Sequence, residues 1–180
     1  RAMHHLHGLA PRIIHRDLKS LNLLIAAKFS PEHEAPCVKL CDFGSAHVSE
    51  IESCKAGDKP NSLTKNVGTP HWMAPEVALG KYDEKVDVYS FAMVMFELFA
   101  LLLPFADLDA SEVHLASSQG LRPDLDELDP ETPSDLVDLM VKCWASAPAD
   151  RPSFEHICSL LLRENFYIPN EGILPDRMTL

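Results

Sequence analysis

Glycine is scarce in this sequence, and its spacing excludes two large classes of nucleotide-binding protein. Only seven glycines occur in 180 residues, and the two that lie closest together are Gly57 and Gly68. Loops that wrap phosphate groups, such as G-x-G-x-x-G and G-x-x-x-x-G-K-[ST], place two glycines within about five positions of each other. The sequence therefore contains neither a Rossmann dinucleotide fingerprint nor the glycine-rich loop of a P-loop NTPase.

Long apolar runs are also absent. The most apolar stretch, residues 88–106, is interrupted by Glu97 and Pro104. A membrane-spanning helix needs about 20 consecutive apolar residues, so this stretch is not expected to cross a membrane. A helix that is apolar on all sides is typical of the centre of a large domain, and we expect a buried central helix over residues 84–102.

Basic residues are outnumbered, because 16 Lys and Arg oppose 27 Asp and Glu and give a net charge of −11. Much of the excess lies in residues 107–135, where Arg122 is the only basic residue. Nucleic acids and anionic membranes bind through basic patches, so neither is an expected partner. The acidic stretch is either a solvated face or a docking surface for basic peptides.

The five cysteines form no recognisable framework, because their number is odd and their spacing matches neither a disulfide scaffold nor a zinc site. Cys37 and Cys41 are expected to pack against apolar neighbours rather than to bind a metal. The first residues, RAMHHLHGL, lack the apolar run of a secretory signal. We therefore expect a reducing, cytoplasmic compartment.

Further helices are expected after the central one. A helix starting at Asp109 would have Glu112 as the other half of a capping box. The next is expected to have Thr132 as its N-cap and Pro133 at its first helical position. A last helix is expected over residues 154–162.

The first half of the sequence is less regular. Residues 3–10 have the spacing of a helix end, and the short apolar runs 23–26 and 38–41 predict a β-hairpin with a long loop. Residues 44–75 show no sustained periodicity, and a loop of that length inside a compact domain is usually functional.

Three motifs combine residue types that carry chemistry. In the first, Asp17, Lys19 and Asn22 can converge from one short loop. An aspartate there can accept a proton from an alcohol, a lysine can offset charge on a phosphoryl group, and an amide oxygen can bind Mg²⁺. In the second, Asp42 follows a strand and Gly44 permits a sharp turn. The motifs are HRDLKSLN at residues 15–22, DFG at 42–44 and GTPHWMAPE at 68–76.

In this order, the motifs resemble the signature set of the eukaryotic protein kinase family, and specifically of its C-terminal lobe. The resemblance extends from His4 to about Arg163. HRDLK looks like a serine/threonine kinase, and DVYSFAMVMFEL with the CW…RPSF spacing is similar to the tyrosine-kinase-like group. The implied fold is mainly α, the C-terminal lobe of the α+β kinase fold with a small β-hairpin near the N-terminus. This lobe would occupy residues 1–165, with a tail over 166–180.

The resemblance implies a serine/threonine protein kinase that uses ATP and Mg²⁺ and acts on protein hydroxyl groups. Asp17 would be the catalytic base and Lys19 would contact the γ-phosphate. Asn22 and Asp42 would hold the Mg²⁺ ions, and Leu24 would lie under the adenine.

The resemblance also assigns supporting roles. Arg16 would pair with a phosphorylated activation loop, and Thr69 would line the loop that receives the substrate. Glu76 would form a buried ion pair with Arg151, and Asp87 would brace the HRD backbone. The candidate phosphorylation sites are Ser45, Ser49, Ser53, Ser62 and Thr64, and the residues expected to contribute packing or a turn are His15, Phe43 and Gly44.

The family's N-terminal lobe has no counterpart in these residues, since they contain neither its glycine-rich loop nor its V-A-I-K lysine. Three alternatives follow: a portion of a catalytic domain, a truncated and catalytically impaired module that binds other proteins, and a fragment without a function of its own. In each case the surface that faces the N-terminal lobe in the family is expected to be apolar and exposed, and open to a partner.

Overall fold

The computed structural model describes residues 1–26, 36–49 and 67–163. The predicted tail, most of the loop of the predicted hairpin and the candidate sites Ser53, Ser62 and Thr64 lie outside these residues. The described part contains five α-helices and two antiparallel sheets of two strands each. The helices are α1 (Ala2–Gly8), α2 (Lys85–Ala100), α3 (Ala110–Ser118), α4 (Ser134–Cys143) and α5 (Phe154–Arg163), and the strands are β1 (Ile13–Ile14), β2 (Leu23–Ile25), β3 (Val38–Leu40) and β4 (His47–Val48).

Helix α2 is the centre of the fold, as its sequence predicts. Ten of its 16 residues are buried, including the whole segment from Ala92 to Phe96. Its apolar surface packs against α4 and the short turn Pro70–Trp72. No helix in the described part of the chain combines the length and the hydropathy needed to cross a membrane.

Three polar residues of α2 lie along one side of this mostly apolar helix. Asp87, Ser90 and Glu97 are spaced so that successive helical turns bring them to the same side. We call them the polar strip of α2. The strip faces the loops that carry the first and third sequence motifs, and it positions both of them.

The predicted N-terminal cap of α3 is confirmed, and the predicted cap of α4 is wrong. At α3, the Asp109 side chain and Glu112 form the predicted capping box. Helix α4 begins at Ser134, and Pro133 occupies the cap position without a side-chain cap. Proline fixes φ but leaves ψ free, and Pro133 has an extended ψ of 130°. Thr132 instead belongs to the preceding turn, where its N–H donates to the Asp129 carbonyl over 2.8 Å.

The predicted hairpin is confirmed, because β2 and β3 pair in antiparallel register with Leu24 opposite Lys39. The prediction of one continuous loop after Gly44 is wrong at β4, which pairs with β1 and places Ile13 opposite Val48. Strands of two residues show no periodicity in the sequence. This second sheet joins the chain just before the HRD motif to the chain just after the DFG motif.

The remaining core lies around α2. On α4, Leu139, Met140 and Cys143 are buried and Leu136 is half-buried, and Trp144, which directly follows the helix, is buried as well. Burial raises the pKa of the Cys143 thiol to about 12, against the weaker effects of nearby basic groups. The thiol is therefore protonated at neutral pH and packs as a small apolar group.

The core on α4 can be tested with Met140→Ala. Met140 is fully buried, so the substitution should lower the free energy of unfolding by about 2–5 kcal/mol. The matched control is Val141→Ala on the next, exposed residue, which should change it by no more than about 0.5 kcal/mol. Denaturant unfolding measures both, and equal effects of the two substitutions would show that the packing of α4 on α2 is wrong.

Candidate functional site

The site begins with the carboxylate of Asp87, which is completely buried in the first turn of α2. Its Oδ2 accepts the backbone N–H of His15 and its Oδ1 accepts that of Arg16, both over 2.8 Å. Arg16 has a φ of 66°, in the left-handed region that costs a non-glycine residue about 1–2 kcal/mol. The two bonds to Asp87 hold this turn, and the turn presents Asp17.

Asp17, Lys19 and Thr69 form a hydrogen-bonded cluster. Lys19 Nζ donates to Asp17 Oδ2 over 2.8 Å and to Thr69 Oγ1 over 2.7 Å. The Thr69 hydroxyl donates to Asp17 Oδ1 over 2.8 Å. Asn22 closes the loop by donating from Nδ2 to the Asp17 carbonyl over 2.8 Å. Four predicted site residues are thus brought to one place.

These contacts determine the charge of Asp17. Burial raises the pKa of its carboxyl, but the hydrogen bonds from Lys19 and Thr69, the Lys19 charge and the Asn22 hydrogen bond together lower it below its ordinary value. Asp17 is therefore ionised at neutral pH and accepts hydrogen bonds.

Gly68 allows the two parts of the cluster to approach each other. It has a φ of 112°, and a Cβ added to it would lie 2.6 Å from the Arg16 carbonyl oxygen. A side chain at this position would push the segment 68–72 away from the loop 15–22. Glycine is therefore required here both for its backbone conformation and for the space.

The DFG residues are tied to the same loop. His15 Nε2 is 3.1 Å from the Cys41 carbonyl oxygen, and the His15 ring packs edge-on against Phe43. The Cys41 N–H donates to the Asn22 carbonyl over 3.0 Å. Asp42, at a φ of 63°, accepts the Gly44 N–H. The backbone thus brings the predicted metal ligands Asn22 and Asp42 to adjoining positions.

Asn22 and Asp42 have the chemistry that Mg²⁺ requires. Asn22 uses its amide nitrogen toward Asp17, so its oxygen is the atom left for a cation. The Asp42 carboxylate is exposed. Carboxylate and amide oxygens are ligands that Mg²⁺ prefers, so the two residues fit such an ion.

Arg16 contacts the start of the predicted activation loop. Its Nε donates to the Ser45 carbonyl over 2.5 Å and its Nη1 donates to the Tyr82 hydroxyl over 3.1 Å. Its pairing with a phosphorylated residue stays a prediction. Tyr82 was not identified from the sequence, because it lies far along the chain outside all three motifs.

Glu76 and Arg151 form a bidentate ion pair, with N–O distances of 2.5 and 3.1 Å. The Arg151 side chain is buried, and its Nε also donates to the Ala145 carbonyl. Its guanidinium lies 5.1 Å from the centre of the Tyr89 ring. Burial raises the pKa of Tyr89 to about 12, against the lowering effect of the arginines. This pair joins the end of the third motif to the helical core.

Leu24 lies on β2 and is half-exposed, and no contact places it in the cluster of Asp17. Its predicted place under the adenine stays a prediction. It belongs to a group of exposed apolar side chains on or near the hairpin, which we call the hairpin surface: Leu21, Leu24, Ile25, Val38 and Phe43.

The acidic stretch 107–135 lies on the surface, and all its carboxylate side chains are exposed. Several of them accept local backbone N–H groups. Asp124 accepts from Asp126, Asp129 accepts from Glu131, and Glu112 caps α3. These contacts are typical of a solvated face with ordered turns, and the docking of basic peptides stays a prediction.

Comparison with known proteins agrees with the geometry. The family model described as "Protein kinase domain" matches residues 1–161. The chain belongs to the protein kinase family.

Several relatives of this chain are named as serine/threonine-protein kinases. A probable serine/threonine-protein kinase of Dictyostelium discoideum is 41% identical over 151 residues, which are 83% of this chain and 14% of the relative. Mitogen-activated protein kinase kinase kinase 7 of Drosophila melanogaster is 37% identical over 87% of this chain and 21% of its own length. A serine/threonine-protein kinase of Arabidopsis thaliana is 40% identical over 89% of this chain and 25% of its own length. The kinase chain therefore spans a quarter or less of these three relatives.

The close approach at Gly68 predicts a large effect of Gly68→Ala. The matched control is Gly120→Ala, because Gly120 also has a positive φ, of 91°, but has open space around it. In the control, the free energy of unfolding should fall only by the cost of a left-handed backbone at a non-glycine residue, about 1–2 kcal/mol. Gly68→Ala should lower the free energy of unfolding further and shift the NMR resonances of Arg16 and Thr69. Equal losses of stability in the two variants would contradict the close approach.

The cluster also predicts how Asp17 titrates. Its lowered pKa means that its contribution to stability is present above the unfolded pKa of about 3.9 and is lost as the pH falls through the folded pKa. Lys19→Met removes a hydrogen bond and a charge, so it should raise the pKa of Asp17 toward its ordinary value. The carboxyl ¹³C shift of Asp17 measures this. Lys142→Met on the exposed face of α4 is the control, and an unchanged pKa in Lys19→Met would contradict the cluster.

Proposed function

We propose that residues 1–165 are the C-terminal lobe of a serine/threonine protein kinase domain of the tyrosine-kinase-like group, with a tail over residues 166–180. The order of a helix end, the HRD loop, a hairpin, the DFG motif and a helical bundle around α2 supports this assignment. The 180 residues contain neither a glycine-rich loop nor a V-A-I-K strand, which supports the restriction to one lobe.

The cluster of Asp17, Lys19 and Thr69 is the observation that carries the proposed activity, the transfer of the ATP γ-phosphate to a protein serine or threonine. Asp17 is ionised and sits on a turn that Asp87 holds, so its carboxylate can accept the hydrogen bond of an incoming hydroxyl. Lys19 places a positive charge 2.8 Å from that carboxylate, where it offsets the charge of the phosphoryl group.

In the proposed reaction, the hydroxyl oxygen of the substrate forms a bond to the γ-phosphorus. The bond between that phosphorus and the bridging oxygen of ATP breaks, and the hydroxyl proton passes to Asp17. Mg²⁺, when bound, would neutralise part of the negative charge that the transfer develops. Asn22 and Asp42 are the residues that would hold the Mg²⁺. The hydrogen bond from the Thr69 hydroxyl keeps Asp17 oriented until the hydroxyl of the substrate takes the place of that bond.

A cytoplasmic location is part of the proposal. The four cysteines in the described residues, Cys37, Cys41, Cys143 and Cys158, are all free thiols, which supports a reducing compartment.

The proposed activity is tested with Mg²⁺–ATP and a serine-containing peptide. Asp17→Asn keeps the size of the side chain and removes its basicity, so it should lower the transfer rate by about 10²- to 10⁴-fold. Asp138→Asn on the exposed face of α4 is the matched control and should transfer phosphate at the unchanged rate. Equal transfer rates for Asp17→Asn and the unmodified chain would show that Asp17 has no role in the reaction.

The hairpin surface supports a second candidate function, a catalytically impaired module that binds another protein. The hairpin and its surroundings leave several large apolar side chains exposed, and exposed apolar surface is typical of a region that another protein covers. Calorimetric titration of Mg²⁺–ATP into the 180-residue chain distinguishes the two functions. Tight binding followed by turnover contradicts the binding module, and the absence of nucleotide binding contradicts catalysis by this chain.

A further inference from the structure

A groove on the surface lies between α4 and α5, outside the candidate functional site. Helix α4 packs on α2 and α5 packs on α1, so the groove separates two helices that have different neighbours. It has a volume of about 180 Å³, and seven residues line it. Four of them are leucines, and three are charged residues of α4. We call it the α4–α5 groove.

Leucine side chains form the apolar part of the groove. Leu139 is buried, whereas Leu136, Leu160 and Leu161 are half-buried and leave part of their apolar surface in water. Covering such surface is favourable. Pockets that hold drug-sized molecules have volumes of about 300–1,000 Å³, and the groove is smaller than these. Its size and lining favour a few apolar side chains of a peptide over a whole small molecule.

Three charged side chains make up the rest of the lining: Asp135, Asp138 and Lys142. They are spaced by three and four positions in α4, so they lie on the same face of the helix. All three residues are exposed, and none of the ion pairs within the described residues includes them. At 1.5 Å per residue, Asp135 and Lys142 are separated by about 10 Å along the helix axis. The charge of the lining therefore changes from negative to positive along α4.

The separation of these charges favours a helical partner over an extended one. In a helix, residues seven positions apart lie on one face and about 10 Å apart, which equals the separation of Asp135 and Lys142. In a strand, about 10 Å corresponds to three residues, and side chains three positions apart point to opposite sides. One face of a helix can therefore contact both charged ends and the leucines, whereas one face of a strand cannot.

We propose that the α4–α5 groove is a docking site for an amphipathic helix of another protein. The helix would place a Lys or Arg beside Asp135 and Asp138, an Asp or Glu beside Lys142, and apolar side chains on the leucines. Charge complementarity fixes the register of such a helix, and its apolar face fills the groove. The proposal does not depend on phosphoryl transfer, because it rests on the lining of the groove alone.

The test titrates a synthetic amphipathic helix of alanine and leucine into the full 180-residue chain. The leucines of the peptide lie on one face, which also carries a Lys and a Glu seven positions apart. Titration should shift the amide NMR signals of Leu136, Leu139 and Leu161. Replacing the Lys and the Glu of the peptide with Gln should raise the Kd by about 2- to 30-fold, because two exposed ion pairs are lost. Unshifted groove signals, or equal Kd values for the two peptides, would overturn the proposal.

Matched variants of the chain separate the groove from the rest of its acidic surface. Asp135→Asn combined with Asp138→Asn removes the negative end of the groove and should raise the Kd of the charged peptide by about 2- to 5-fold, because the ion pair with its Lys is lost. The Kd of the Gln peptide should stay unchanged. Asp107→Asn combined with Asp126→Asn removes the same charge from exposed positions outside the groove and should change neither Kd. Equal effects of the two pairs would show a general attraction to acidic surface and would contradict the proposal.

Two other occupants of the groove are distinguished without the peptide. The tail follows α5 closely, so its apolar residues are near Leu160 and Leu161 along the chain. Ile168→Ser in the tail should leave the Leu136 and Leu139 signals in place, and so should dilution of the chain. A shift in Ile168→Ser would show that the tail fills the groove, and a shift on dilution would show that a second copy of the chain does. Either shift would rule out a docking site for another protein.

Discussion

The bonds from the Asp87 carboxylate to the backbone of His15 and Arg16 support everything else in the site. A buried carboxylate costs several kcal/mol unless hydrogen bonds replace its water. Here the two backbone N–H groups do so, and His7 Nε2 lies 2.8 Å from Oδ2 as a third partner. Because the carboxylate needs these donors and Arg16 needs help to hold its left-handed turn, each side of the contact stabilises the other.

The polar strip extends this arrangement along α2. Asp87 holds the loop that carries Asp17, and Ser90 holds the backbone of Trp72. Glu97 holds Ser20 and the Trp72 indole. The chemically important residues lie on loops, whose short turns would be mobile on their own. Contacts with one buried helix give those loops the rigidity that a preorganised site needs.

Local patterns in the sequence predicted much of the fold. The apolar run predicted α2, the capping box predicted the start of α3, and the short apolar runs predicted the β2–β3 hairpin. Local patterns failed where the decisive contact was distant or very short. The pairing of β1 with β4 involves two residues on each strand. The predicted cap at Thr132 failed because Pro133 has an extended ψ of 130° and the helix begins only at Ser134.

In the site, too, local sequence patterns predicted the candidate residues but not the distant contacts that position them. The motifs identified Asp17, Lys19, Asn22 and Asp42 as candidates from their types and spacing. Nothing local indicated that Glu97 contacts Ser20, because 77 positions separate them in the sequence. In the sequence, Glu97 stood out only as an interruption of an apolar run. A charge in such a run is costly to bury, and this cost is itself a signal that a partner must exist.

The burial of Cys143 has a consequence for the motions of this molecule. Burial raises the pKa of the Cys143 thiol to about 12, so the thiol is protonated at neutral pH, and the side chain is fully buried where α4 packs on α2. A thiol reagent can reach it only after α4 moves away. The rate at which Cys143 reacts therefore reports how often the helical core opens spontaneously. The less buried Cys37, Cys41 and Cys158 provide the reference rates.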